Sequence, residues 1–85
     1  AYHPNNGLIY VVDVKQHQVL AYEPNGALKL RFGGRGSGRG EFNFPTNIAI
    51  DQSGSIYVTD SLNFRVQAFD LQGQFISAFD FCPNH

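Results

Sequence analysis

The chain repeats itself at an offset of 47 residues, and this internal repeat constrains its fold more than any other feature. The segment GLIYVVD (7–13) matches GSIYVTD (54–60), and QVLAYEPNGALKLRF (18–32) matches RVQAFDLQGQFISAF (65–79). No gap is needed between positions 7 and 32. Because the same tyrosine, glycine and turn recur at a single offset, the sequence indicates two copies of one structural unit.

Both copies have the residue pattern of short β-strands. β-Branched and aromatic residues alternate with polar ones, and no segment has the apolar period of a helix. Turn signals separate the runs, with Gly26 in the first copy and Gly73 at the equivalent place in the second. The second copy predicts four antiparallel strands, at 47–50, 55–59, 65–69 and 74–79. The first copy predicts three, at 8–12, 19–22 and 27–32.

Four-stranded units that recur every 40 to 50 residues or so are typical of β-propeller blades. We therefore expect an all-β chain made of about two antiparallel, four-stranded blades. The predicted organisation is a blade that lacks most of its first strand (1–33), a glycine-rich connector (34–45), a complete blade (46–81) and a short tail (82–85).

The glycine-rich stretch FGGRGSGRGEF (32–42) lies between the two copies. A phosphate-binding P-loop needs Gly-Lys-Ser/Thr at the start of a helix, and neither is present. An Arg/Gly nucleic-acid segment is normally longer, so the stretch is predicted to connect the blades. Arg35 and Arg39 are candidate binding residues on an exposed loop. Phe42 and Phe44 are expected to anchor the connector, and Pro45 to fix entry into the next strand.

Composition limits the classes of partner. A net charge of -1 argues against bulk attraction to nucleic acid or to an anionic membrane. No apolar run approaches the roughly 20 residues of a membrane span, and no signal-peptide pattern is present. The single cysteine, Cys82, allows no intrachain disulfide and is expected to be an ordinary thiol. The sequence leaves the cellular compartment open.

Few residues are candidates for chemistry, and we predict no catalytic residue and no cofactor. The three histidines lack the spacing of a metal site. His17 is expected to face solvent in a loop and is a third candidate binding residue. Aspartates recur at strand ends, where their side chains accept hydrogen bonds from local backbone amides, at Asp13, Asp51, Asp60 and Asp70.

The segment 42–79 resembles one complete NHL repeat. The resemblance rests on Phe44-Pro45, IAID (48–51), Gly54, IYVTD (56–60), Asn63-x-Arg65-Val66, Phe69 and Gly73. The first copy is similar from position 7 to position 33. The resemblance implies a β-propeller, commonly six-bladed.

The resemblance also implies that Asp60 and Arg65 form a structural ion pair within the blade. The first copy departs from this pattern, because Gln16 and Gln18 stand where the second copy has Asn63 and Arg65. Asp13 must therefore find another partner.

The resemblance implies a non-catalytic scaffold for a protein partner, with two alternatives. One is a propeller lyase or hydrolase with an axial metal, for which His3 is the remaining candidate ligand. The other is RNA binding across a basic face, which the net charge disfavours. Because two blades cannot close a ring, we expect a piece of a longer propeller, with self-association of the chain as the alternative.

Overall fold

The computed structural model describes residues 7–81, which form two antiparallel sheets. The first sheet has the order β1-β2-β3 and the second the order β4-β5-β6-β7. The strands are β1 (Ile9–Asp13), β2 (Gln18–Tyr22), β3 (Leu28–Gly33), β4 (Pro45–Ile50), β5 (Ile56–Asp60), β6 (Arg65–Phe69) and β7 (Phe75–Asp80). A single 3₁₀ turn, Ser61–Asn63, separates β5 from β6.

The all-β prediction is confirmed for this part of the chain, and every predicted strand bound lies within two residues of the observed one. No helix among residues 7–81 has the length and apolar character needed to cross a membrane. The predicted strand stub at 1–3 and the tail at 82–85, with Cys82, lie outside the described residues.

The repeat is reproduced in the backbone of the two blades. Strands β1, β2 and β3 begin and end 47 positions before β5, β6 and β7. A register irregularity follows Ala21 in the first blade and Ala68 in the second. His17 and Phe64, also 47 positions apart, both have left-handed backbone angles, with φ of 55° and 54°. The recurring residues therefore specify one blade geometry twice.

Gly73 shows how the turn of one blade packs on the next. Its amide closes the hairpin turn by donating to the Asp70 carbonyl at 3.0 Å, and its φ is 81°. A Cβ atom on Gly73 would lie 2.5 Å from Cδ1 of Phe32, in the first blade. Gly26 occupies the equivalent turn of the first blade with a φ of 91° and open space around it. Only the second turn is thus closed off by a neighbouring blade.

The hydrophobic core lies between the two blades and under the connector. Tyr10, Val19 and Ala21 come from the first blade, Ile56, Val58 and Phe69 from the second, and Phe42 from the connector. Burial of one large apolar side chain contributes about 1.5–3 kcal/mol. The Tyr10 hydroxyl adds a hydrogen bond across the junction, to the Leu71 carbonyl at 3.2 Å.

Equivalent positions of the two blades differ in exposure, because only the second blade packs on a preceding blade. Ile9 and Val11 are exposed, whereas their counterparts Ile56 and Val58 are fully buried against the first blade. The same residue types are therefore covered or bare according to whether a blade precedes them. Blades of this kind depend on neighbours for their core, as repeat proteins do generally.

Candidate functional site

The most organised polar cluster surrounds Asp60, which is fully buried at the end of β5. Its Oδ1 atom accepts the backbone amide of Asn43 at 2.7 Å. Its Oδ2 atom accepts Arg65 Nε at 2.8 Å, Asn63 Nδ2 at 2.9 Å and Gln67 Nε2 at 3.2 Å. Asp60 and Arg65 thus form the ion pair within the blade. A buried carboxylate is tolerated when charge and hydrogen bonds compensate it in this way.

The donors around Asp60 also hold the connector. Arg65 Nη2 donates to the carbonyls of Gly38 and Glu41 at 2.7 and 2.8 Å. Gln67 Nε2 donates to the Glu41 carbonyl at 2.7 Å, and its Oε1 accepts the Gly40 amide at 2.9 Å. We call the side chains of Asp60, Asn63, Arg65 and Gln67 the connector clamp. The clamp fixes the connector by its backbone, so it does not depend on connector side chains.

The connector is folded closely around Gly36 and Gly38. Asn63 Nδ2 donates to the Gly36 carbonyl at 2.9 Å, and the Glu41 carboxylate accepts the Gly38 amide at 2.9 Å. A Cβ atom on Gly36 would collide with that carboxylate. The Glu41 side chain folds back over the loop and occupies this space, so a larger residue at position 36 requires the flexible end of Glu41 to move aside.

The two connector phenylalanines differ in burial: Phe42 lies in the core, whereas the Phe44 ring is exposed and contacts His17. Phe42 is fully buried, and its ring centroid lies 5.6 Å from that of Phe69. Phe44 has a φ of 57°, and its ring is about half exposed. Pro45 is buried and begins β4.

His17 is half-buried, although the sequence indicated a solvent-facing residue. Its Nδ1 atom accepts the backbone amide of Phe44 at 3.0 Å, and the two rings meet edge to face at 5.2 Å. Its carbonyl accepts the Gly34 amide at 2.8 Å. His17 therefore holds both ends of the connector against the first blade, a contact that no local sequence pattern encodes.

The two connector arginines are both exposed, and their surroundings differ. The Arg39 guanidinium lies 5.9 Å from the centre of the Phe75 ring, within the range of a cation–π contact. The Arg35 side chain makes no hydrogen bond or ion pair with any residue between 7 and 81. Arg35 is thus the predicted binding residue that the fold leaves available.

The described region contains no cluster of side chains that could together bind a metal ion. Among residues 7–81, no three His, Cys, Asp or Glu side chains are close enough to hold a metal ion. His3, the candidate axial ligand, lies outside the described residues.

Asp51 organises the turn between β4 and β5. It accepts hydrogen bonds from the Ser53 hydroxyl at 2.7 Å, the Tyr57 hydroxyl at 2.8 Å and the Ser55 amide at 2.9 Å. These donors, the Ser53 hydroxyl first, lower the pKa of Asp51 to about 2. The hydrogen bond that the Tyr57 hydroxyl donates to Asp51 raises the pKa of Tyr57, since deprotonation of Tyr57 would place two anions together.

We expect replacement of Ser53 by alanine to raise the pKa of Asp51 from about 2 towards its ordinary value of 3.8. Because the folded pKa is the lower one, Asp51 stabilises the fold above about pH 4 and loses that contribution as the pH falls through 2. Carboxyl ¹³C NMR titration measures the midpoint directly. Ser37→Ala, in the exposed connector, is the control and should leave the midpoint unchanged; an unshifted midpoint in Ser53→Ala would contradict the assignment.

Comparison with known proteins places these features among propellers. A family model described as a 6-bladed beta-propeller matches residues 3–85. NHL repeat-containing protein 3 is 33% identical over 86 residues in Mus musculus and 28% over 85 in Homo sapiens, each alignment covering 95% of this chain and 24% of the relative. Protein lin-41 of Caenorhabditis elegans is 52% identical over 48 residues, covering 56% of this chain and 4% of the relative. The chain thus spans about a quarter or less of these relatives.

Proposed function

Because the chain belongs to the NHL-repeat family of six-bladed β-propellers, we propose that it serves as part of a non-catalytic scaffold that binds a protein partner. The observation that carries this proposal is the commitment of its polar side chains to structure. Asp60, Asn63, Arg65 and Gln67 bind one another and the connector backbone. These bonds occupy the Asp60 carboxylate and both ends of the Gln67 amide within the fold.

The connector end of the two blades presents exposed cationic and apolar side chains to solvent. Arg35 projects from the connector without a polar partner among the described residues, and the exposed ring of Phe44 lies beside the first blade. Such a mixture of a free cation and apolar side chains on ordered loops suits recognition of a protein surface.

The charge distribution supports a protein partner over RNA. Nucleic-acid affinity comes largely from several phosphate contacts by free cations. At the connector, Arg65 is paired with Asp60 and Arg39 lies over the Phe75 ring, so Arg35 is the cation that is left free there. The chain as a whole has a net charge of -1.

Site-specific photocrosslinking tests the class of partner. Arg35 is replaced by the photoreactive amino acid p-benzoylphenylalanine, and Gln72, exposed on the turn at the opposite end of the second blade, is replaced in a control chain. We expect saturable, protease-sensitive adducts at position 35 in cell extract, and fewer at position 72. Adducts that ribonuclease removes would overturn the proposal and favour the RNA-binding alternative.

A further inference from the structure

The blade pair has two outer faces, and each is the repeat of a face that the junction between the blades buries. One lies on the first blade and carries Ile9 and Val11, and we call it the leading face. The other lies on the second blade and carries Val66 and Phe79, and we call it the trailing face. Residues 7–81 form only two sheets, so no described blade packs on either face.

The leading face is the counterpart of the half of the junction that the second blade supplies. Ile56 and Val58 are fully buried against the first blade. Their counterparts Ile9 and Val11, 47 positions earlier, are each 38% exposed. The residue types are the same or nearly so, and the leading face therefore has the composition of a blade junction without a blade in front of it.

The trailing face is the counterpart of the half that the first blade supplies. The Phe32 ring lies 4.7 Å from the Phe69 ring, and its Cδ1 atom lies 2.5 Å from the place of a Cβ atom on Gly73. Its counterpart Phe79 is 56% exposed. Gly26, the counterpart of Gly73, has no described atom within 4 Å of such a Cβ position. The exposed ring and the open turn are thus the two separated halves of a contact that the junction makes.

The route by which the connector leaves the first blade is not repeated after the second. Gly33 and Gly34 have φ of 106° and 137°, and a Cβ atom on Gly33 would lie 2.5 Å from the Phe42 ring. Their counterparts are Asp80 and Phe81. Asp80 has no left-handed angle, and a ring placed against it as Phe42 is placed against Gly33 would collide with its Cβ atom. The trailing face is therefore unsuited to a blade that arrives through a connector of the first kind.

Phe81 replaces a contact that the connector makes in the first blade. The Gly34 amide donates to the His17 carbonyl at 2.8 Å, and the His17 ring meets Phe44 of the connector. In the second blade the Phe81 amide donates to the Phe64 carbonyl at 2.7 Å, and the two rings meet edge to face at 6.3 Å. The second blade supplies this ring contact from its own strand end. A blade that is not joined to β7 by a connector fits this arrangement.

We propose that the trailing face of one copy of this chain docks on the leading face of a second copy, head to tail. Phe79 of one copy packs on the turn at Gly26 of the next and lies beside Ile9 and Val11, as Phe32 packs on Gly73 within the chain. Each copy supplies two blades of a propeller described as six-bladed, so three copies close a ring. The inference goes beyond the protein-binding proposal and does not depend on it.

The contact between copies is predominantly apolar. Within the chain, Tyr10 donates to the Leu71 carbonyl across the junction, but its counterpart Tyr57 donates to Asp51 in its own blade. That polar bond is therefore not repeated between copies. Because exposed charge pairs weaken in salt and apolar contacts do not, the association should persist when the salt concentration is raised.

Light scattering after size exclusion measures the mass of the 85-residue chain over a series of concentrations. We expect a concentration-dependent trimer, with three times the chain mass of 9.5 kDa. Phe79→Arg removes the trailing face and Ile9→Arg the leading face, and every head-to-tail contact needs both. Each variant should raise the concentration required for assembly by about 10-fold or more, the effect of losing one large buried apolar side chain.

The matched control is Leu62→Arg, which introduces the same charge at an equally exposed apolar residue. Leu62 is 52% exposed, and its counterpart Lys15 stays exposed although the second blade covers the first. The repeat thus places Leu62 outside the contact, and the mass of this variant should be unchanged. All three substituted positions are exposed, so circular dichroism should show the wild-type fold in each variant.

Mixing the two face variants tests the direction of docking. Phe79→Arg keeps the leading face and Ile9→Arg keeps the trailing face, so an equimolar mixture should form a dimer with one chain of each and no larger species. If Ile9→Arg dimerises by itself, the contact joins two trailing faces and the head-to-tail proposal is overturned. A wild-type chain that stays monomeric up to its solubility limit, or an association that both variants leave unchanged, would also overturn it. None of these results bears on partner binding at the connector end.

Discussion

Replacing Asp60 by alanine should lower the free energy of unfolding by about 3–5 kcal/mol, the usual cost of removing one partner of a buried ion pair. The carboxylate of Asp60 accepts four donors, and the Arg65 guanidinium that remains is largely buried. Without its counter-charge this guanidinium must take up water or move, and the connector it holds is released. Urea unfolding followed by circular dichroism measures the loss.

Asp13 supplies a matched control, because it occupies the position of Asp60 in the first blade. Its one described contact is the Gln16 amide at 3.2 Å, and Gln18 stands where the second blade has Arg65. Asp13→Ala should therefore cost no more than about 1 kcal/mol, the value of one ordinary hydrogen bond. Equal losses in the two variants would show that the ion pair and the connector contacts contribute nothing beyond a strand-end aspartate.

The difference between Asp60 and Asp13 also decides which blade can hold a connector by clamp contacts. A small fold has a stability margin of about 5–15 kcal/mol, and a chain of this length lies towards the lower limit. One clamp can therefore decide whether a connector stays on its blade. The first blade, with Gln16, Gln18 and Leu20 at the clamp positions, cannot hold a preceding connector by the same contacts.

The strands could be predicted from sequence because their determinants are local. Alternation of Ile56 and Val58 with polar neighbours fixes which face is buried, and Gly26 and Gly73 fix where the chain turns. The repeat gave a second, independent copy of the same signals, which is why the bounds agree within two residues. Asp60 and Arg65 were expected as a pair through the NHL resemblance, and the structure brings them together.

The connector could not be predicted in the same way, because its contacts are long-range. Nothing local distinguishes Phe42 from Phe44, yet only Phe42 packs into the core, against Phe69. Gln67 was missed because a glutamine in a strand normally faces solvent. The available signal was the comparison with Leu20, its counterpart in the first copy, which shows that position 67 carries a blade-specific role. His17 was misplaced for the same reason, since its partner is 27 residues away.

The second large effect on the free energy of unfolding is expected at Phe42, and Phe44, two positions further along the chain, serves as its comparison. Phe42→Ala should lower the free energy of unfolding by about 3–5 kcal/mol, because it empties a fully buried site against Phe69. Phe44→Ala should lower it by only about 0.5–1.5 kcal/mol, since its ring is half exposed and its ring contact is with His17 alone among the described residues. Urea unfolding of both variants under identical conditions gives the comparison.

The effects of Phe42→Ala and Asp60→Ala on hydrogen exchange show whether the buried ring and the connector clamp hold the connector independently of each other. The clamp holds the connector by its backbone, so Phe42→Ala should leave Arg65 bound to the carbonyls of Gly38 and Glu41. Amide hydrogen exchange should then show protection kept at Gly40, whose amide donates to Gln67, and lost in Asp60→Ala. If Phe42→Ala also abolishes protection at Gly40, the ring and the clamp act as one cooperative unit, and the connector is held only when both are present.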